Sequence, residues 1–258
     1  MARIREIFNY RDMIFSLVRR ELRGRYQKSV LGMLWTLLNP LAQIAVYTFV
    51  FTVIFPNNLE NYYIYLTAGL VPWTFFNESL SQGTGSIVAN ADMTKKIYFP
   101  REVLTISSVA AKFVNLMLAF LIVFAFILFS GIGIDFRVIW LLPVVMIAEF
   151  LTALGLTLLF SAVTVYLRDM EYIVGVFLMA WIWATPIMYT VDNLPPAIYH
   201  LLLVNPMTPI VMIYHDLLYY QSFPSVPMLL AVVIEGIALT VLGEAVFVKL
   251  EGNFAEEL

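Results

Sequence analysis

No cysteine occurs among the 258 residues, so disulfides and thiolate metal sites are excluded. Charge is scarce too. Asp, Glu, Lys and Arg make up 13% of the chain and apolar residues 61%, against about 25% and about 45–50% in a soluble domain. A chain of this composition is integral to a membrane. The only histidines, His200 and His215, lie in one polar-flanked stretch and read as interfacial side chains rather than ligands. No Gly-Lys pair occurs anywhere, so there is no P-loop to cradle a nucleotide. H-E-x-x-H and G-x-S-x-G are missing as well. Hydrolase and metalloenzyme readings therefore have no support, and the chain is read as a non-enzyme that binds no cofactor or metal of its own.

What is present is a series of long apolar runs. A membrane span needs about 20 mostly apolar residues, and six segments qualify: about 31–55, 62–88, 104–130, 138–166, 171–191 and 227–250. The second is the weakest, because Asn77, Glu78, Ser79, Ser81, Gln82, Thr84 and Ser86 crowd its second half. The first run is too long for a signal-peptide core and no small-residue cleavage site follows it, so it is read as an uncleaved span. Residues 1–30 carry eight Lys/Arg against three acids, leaving seven against fifteen for the remainder. Further cations stand at Lys95, Lys96, Arg101, Arg168 and Lys249, while 56–61 and 192–226 have none. Cytoplasmic loops are the ones enriched in Lys and Arg. The alternation predicts an all-α, multi-pass protein of the cytoplasmic (inner) membrane with both termini cytoplasmic, forming one domain over 1–258. Pro40, Pro72, Pro143 and Pro186 fall inside the predicted spans, where each favours a kink. The loop 192–226 holds two apolar stretches too short to span, predicted as interfacial or re-entrant helices.

Two basic segments stand out. From Asn9, apolar residues at Tyr10, Ile14, Leu17, Val18, Leu22 and Tyr26 make one helical stripe. Asn9 is the expected N-cap, and Asp12 sits where the helix dipole favours an acid. Arg11, Arg19, Arg20, Arg23, Arg25 and Lys28 occupy the other face. The pattern predicts an interface helix over 9–28, and two readings of its cations stand: topological anchoring, or contact with lipid phosphate and a neighbouring subunit. The segment 90–101 carries Asp92 and the block Lys95, Lys96, Ile97, Tyr98, Phe99, Pro100 and Arg101. A short helix with an exposed aromatic suits docking into a partner's groove; a plain positive loop is the competing reading.

Four ionisable residues lie inside spans: Lys112, Glu149, Glu235 and Glu244. Such charges usually face a bundle interior or water. Counting depth at 1.5 Å per residue places Lys112 and Glu149 at a similar level, so a pair between them is expected. Glu244 is expected near the inner interface. Trp35, Tyr47 and Phe51 in the first span, with Trp181, Trp183 and Tyr189 in the fifth, are candidates to line a channel. Sugar rings offer C–H faces to aromatic rings; lipid-facing belts are the alternative.

The ordered set "RYQKSVLGMLWTLLNPL" (25–41), "KKIYFPREVL" (95–104), "YLRDMEYIVG" (166–175), "ATPIMY" (184–189) and "NPMTPI" (205–210) resembles the membrane subunit of polysaccharide ABC exporters, over essentially the whole chain. These move O-antigen, capsule or teichoic-acid polymers on a lipid carrier. The resemblance implies a six-span half-transporter that pairs with a second copy of itself and with two copies of a separate ATPase subunit holding ATP and magnesium. It assigns 90–101, Arg168 and Asp169 to contact with that ATPase, and spans one and five to the channel wall. The implied partners are the lipid-linked polysaccharide and membrane lipids, and not nucleic acid. An ABC permease for a drug, ion or lipid is the alternative, followed by an ion-coupled secondary transporter.

Overall fold

The computed structural model describes residues 2–24, 32–55, 59–192 and 194–258. Arg25 and Lys28 of the basic segment lie outside these residues. The described chain is helical, with no strand among its residues.

The N-terminal segment forms two helices rather than one. Helix α1 spans Ala2–Asn9 and α2 spans Arg11–Gly24. Asn9 therefore closes a helix instead of capping one; the Tyr10 N–H donates to the Ile7 carbonyl at 3.0 Å. Asp12 does stand in the first turn of α2. The expected stripe holds at Tyr10, Ile14 and Leu17, with Tyr26 outside the described residues, and much of it is covered by protein. Tyr10, Met13, Ile14 and Leu17 pack on Phe99, Val103 and Leu104 in a small satellite core. Phe8 and Phe15 remain exposed, leaving only part of the segment's apolar surface for a membrane interface.

The first predicted span is α3 (Trp35–Phe49), prolonged by a π-turn over Val50–Ile54. Gly32 just before it takes φ +50°, a left-handed conformation that glycine adopts without strain. Helix α4 is Tyr62–Gly83 and the short α5 is Ala91–Lys96. Then follow α6 (Glu102–Ser130), α7 (Phe136–Ile139) and α8 (Leu142–Tyr166). Pro143 sits in the first turn of α8, where its missing N–H would have had no partner, so it introduces no kink. Pro40 and Pro72 do lie inside helices.

The fifth run departs from expectation. Helix α9 covers only Met170–Trp181, and 182–191 is a chain of turns. Pro186 lies in that stretch, not in a helix; it lacks an N–H and disfavours helix at Thr185. Past it, α10 (Pro196–Leu203) and α11 (Met207–Leu218) meet at 101°, matching the two short helices expected in 192–226. Helix α12 (Val226–Leu250) and a terminal turn, α13 (Phe254–Glu257), complete the chain.

Among the described residues, four helical stretches are long and apolar enough to cross a membrane: Leu37–Ile54, Glu102–Ser130, Phe136–Tyr166 and Val226–Asn253; the bent α10–α11 pair would make a fifth. Helix α4 is long but polar, and α9 is apolar but short. Helices α8 and α12 pack backbone to backbone. A Cβ on Gly243 would stand 2.1 Å from the Gly155 carbonyl oxygen, and one on Gly155 2.3 Å from the Leu239 carbonyl carbon. The Thr240 hydroxyl donates across the seam to the Leu151 carbonyl at 2.8 Å. Small residues allow this approach, which replaces the hydrophobic drive that lipid cannot supply.

Candidate translocation cleft and cytosolic docking segment

Three helices present polar side chains one turn apart on facing sides. Helix α3 offers Trp35, Asn39 and Gln43; α4 offers Trp73, Thr74, Asn77 and Glu78; α6 offers Lys112 and Asn115. Spacings of three and four residues put each set on one helix face. Together they line a cleft of about 420 Å³, closed by apolar residues such as Leu70, Leu116 and Ala119. The side-chain amides of Asn39, Gln43, Asn77 and Asn115 make no hydrogen bond among the described residues. An unsatisfied amide in hydrocarbon costs several kcal/mol, so a cleft with this lining favours water or a polar guest over lipid. Amides that donate and accept, beside indole faces, match the alternating hydroxyls and C–H faces of a sugar chain.

The intramembrane charges do not pair as expected. Lys112 is almost fully buried, and its Nζ donates to Oε1 of Glu21 on α2 at 2.5 Å. Glu149 instead accepts from the Tyr214 hydroxyl of α11 at 2.7 Å, both groups being buried. Lys112 faces α2 and Glu149 faces α11, so the two meet different neighbours. Depth counted along the sequence carries no information about azimuth. Glu235 and Glu244 are half-buried on α12. His215 is not an interfacial side chain either. It is buried, stacks on Tyr65 at 3.8 Å between centroids, and its Nε2 lies 3.1 Å from the Tyr65 carbonyl oxygen. His200 is exposed.

The six aromatic candidates divide. Trp35 lines the cleft. Tyr47 and Phe51 pack on the core, Phe51 beside Phe55 and Tyr62. The Trp181 indole N–H donates to the Asn205 side chain at 2.6 Å, and the ring meets Phe76 and Phe177. Trp183 is exposed on the turn segment, and the Tyr189 hydroxyl donates to its carbonyl. Asn205 also donates to the Ala184 carbonyl and to the Thr185 hydroxyl, which holds the unwound stretch in place.

At the end of the bundle where both termini lie, the basic segments meet. Arg3 of α1 contacts Glu102, with Nε to Oε1 at 2.7 Å, and Glu251 at 2.5 Å. Burial works against the Arg3 charge, and the two carboxylates outweigh it, so the guanidinium is held even more firmly protonated than usual. Arg101 donates to the Glu251 carbonyl and lies over the Phe254 ring. The Tyr166 hydroxyl donates to the Leu250 carbonyl. Within 90–101, Asp92, Lys95, Lys96, Ile97 and Tyr98 are exposed, whereas Phe99 and Pro100 are buried, Phe99 in the cluster with Leu17 of α2. Phe99 is therefore core, and Tyr98, 87% exposed, is the aromatic left uncovered. Arg168 and Asp169 are exposed on the turn between α8 and α9. Arg19, Arg20 and Arg23 project outward from α2, Arg20 donating to Asn90 at 2.8 Å.

Glu21, Asn39, Gln43 and Asn115 escaped the sequence reading. The signal was present: polar residues recur every three or four positions within otherwise apolar runs, which marks an inward-facing stripe.

A protein of Myxococcus xanthus named as an O-antigen export system permease is 32% identical over 257 residues, 99% of this chain and 98% of its own length. A Klebsiella pneumoniae protein of the same designation is 29% identical over 247 residues, covering 96% and 95%. A polysialic acid transport protein of Escherichia coli is 25% identical over 202 residues, covering 76% and 77%. The ABC-2 type transporter family matches residues 13–219. With an apolar helical bundle and a match across most of its length, this chain belongs to the ABC-2 type transporter family.

Proposed function

We propose that the chain is the membrane subunit of an ATP-driven exporter that moves a lipid-linked polysaccharide across the cytoplasmic membrane through a channel made by two copies. The observation that carries this reading is the cleft: four amides without partners among the described residues, beside Trp35 and Trp73, set among long helices. The names of the relatives point the same way. Six crossings are proposed, counting α4 and treating α9 with 182–191 as the fifth. Supporting this count, Arg3 joins Glu251 at one end, while Tyr219 reaches the Glu60 carbonyl and Gln221 the Gly133 carbonyl at the other. The charge asymmetry supports cytoplasmic termini. Helices α3 and α9 leave broad apolar faces uncovered and are the proposed meeting surface of two copies.

The test is Asn39→Leu with Gln43→Leu. Both side chains are exposed to the cleft and carry no hydrogen bond among the described residues, so folding is expected to be unaffected. Surface polysaccharide is expected to fall at least about tenfold at equal membrane level, about 1.4 kcal/mol or more of lost transition-state stabilisation. Undiminished export would exclude the cleft as the path.

Docking to the ATPase is proposed for the exposed face of 90–101 and for Arg168 and Asp169. Tyr98→Ala is expected to reduce co-purification of the ATPase while leaving thermal stability unchanged. Phe99→Ala is expected to do the reverse first, destabilising the chain by about 3 kcal/mol through the cavity it opens beside Leu17 and Leu104. Equal behaviour of the two variants would refute a docking role for the exposed face.

A further inference from the structure

Beneath the cleft lies a second opening, also of about 420 Å³, between α2, α4 and α6. Arg20, Glu21, Gly24, Gln82 and Lys112 line it. Lys112 is shared by both spaces. The ion pair at 2.5 Å therefore stands at the boundary between an outward-opening notch and the polar cleft.

The two partners of that pair are not equivalent. The Lys112 side chain is 2% exposed and Glu21 32%. An ammonium has three donors, and among the described residues Glu21 takes one of them. Lys112, almost fully buried, is the fixed partner. Glu21 is on a surface helix and reaches solvent by a change of rotamer. Ser108, one turn before Lys112, is at 3.5 Å from Glu21 and holds it only weakly. With Glu21 seated, the notch carries one net positive charge from Arg20 and Lys112; with Glu21 swung out it carries two. Among the described residues, nothing lies within 4 Å of where a Cβ on Gly24 would stand.

We propose that this notch is a phosphate site: a phosphate or diphosphate group binds Lys112 and Arg20 by displacing the Glu21 carboxylate, and so releases the ion pair that ties α2 to α6. A doubly charged group with three oxygens satisfies both cations better than one carboxylate, because charge-assisted bonds strengthen where water is sparse. Arg20 retains free donors beyond the one given to Asn90, and its planar fork suits phosphate. That the natural ligand is the phosphate end of a lipid-linked polymer rests on the function proposed above. Phosphate binding itself does not.

The test uses the full chain in phosphatidylcholine nanodiscs, without ATPase or polysaccharide. Phosphatidic acid is the lipid probe and inorganic pyrophosphate the soluble one, with retention followed by native mass spectrometry. Wild type is expected to retain phosphatidic acid. Glu21→Gln is expected to tighten it about tenfold, and Lys112→Arg to keep it. Lys112→Gln is expected to lose it, and so is the double variant Glu21→Gln/Lys112→Gln, which leaves no orphaned charge and keeps the fold testable. Retention by the double variant, or no tightening in Glu21→Gln, would overturn the proposal. Binding of pyrophosphate alone would uphold the site and assign it to a soluble phosphate. Loss of export in the Asn39/Gln43 variant with intact phosphatidic acid binding supports both readings. Normal export there with intact binding removes the polysaccharide path and leaves the phosphate site standing.

Discussion

Gly243→Leu is expected to remove most folded protein from the membrane. The reason is geometric. A Cβ at Gly243 would meet the Gly155 carbonyl oxygen at 2.1 Å and its carbonyl carbon at 2.9 Å, and these are backbone atoms of α8 that no rotamer can move. The helices must separate, and the seam is long. Gly236, two turns earlier on the same face, would meet the Ala148 carbonyl oxygen at 2.7 Å. Separation also breaks the Thr240 bond to Leu151. Overpacking ordinarily costs about 1–3 kcal/mol. A clash with backbone along a seam of this length is expected at about 3 kcal/mol or more, in the range that marks severe variants. Fluorescence-detected size-exclusion chromatography of the tagged chain measures it. Gly252→Ala is the matched control, since nothing lies within 4 Å of its Cβ position, and it is expected to be silent. A well-folded Gly243→Leu protein at wild-type level would show that the seam is looser than its backbone spacing.

Arg3→Met is the second large effect. Glu102 has no solvent exposure and its Oε2 already lacks a partner, so Arg3 is what compensates its charge. Removing one member of a buried pair costs about 3–5 kcal/mol, chiefly because the other is stranded. Arg3 is itself 31% exposed, so the lower end, about 3 kcal/mol, is expected. The effect reaches beyond one contact, because Arg3 also binds Glu251 and thereby ties α1 to the C-terminal turn. Combining Arg3→Met with Glu102→Gln removes the stranded charge and is expected to return most of the stability. Thermal unfolding of the purified chain checks both. A double variant no better than the single would mean that the loss comes from Glu251 and the termini instead.

The apolar helices, the basic end and the pair of short helices before α12 were legible in the sequence, because each rests on local composition. Hydrophobic runs fix spans, and prolines with short apolar stretches fix interruptions. The misses share a different cause. Glu149 and Lys112 were matched by depth, but a helix displays its side chains around a full circle, and only packing decides which neighbour each faces. Phe99 and Tyr98 are adjacent aromatics with opposite fates, one in the core under α2 and one in solvent, and composition treats them alike. The break after Trp181 was foreshadowed by Pro186. Its tolerance was not, because it depends on Asn205, twenty or so positions away, and on the Tyr62 and Tyr65 hydroxyls that donate to the Met188 and Tyr189 carbonyls. The cleft residues were visible as polar interruptions, and in α4 they read only as weakness in a span.

That helix has a consequence for how the protein is made. Helix α4 is too polar to rank among the apolar spans, yet most of its residues are buried by the others. A charged side chain near the centre of an inserting helix costs about 2.5–3.5 kcal/mol, and α4 brings Glu78 together with Asn77, Ser79, Ser81 and Gln82. Such a segment gains little by leaving the insertion machinery for lipid alone. It gains much by leaving in company, with α3 on one side and α6 on the other covering its polar face. Biogenesis then has an order. The expected order is that α4 stays with the insertion machinery until the long α6 has emerged, so that the cleft is assembled around it rather than opened afterwards.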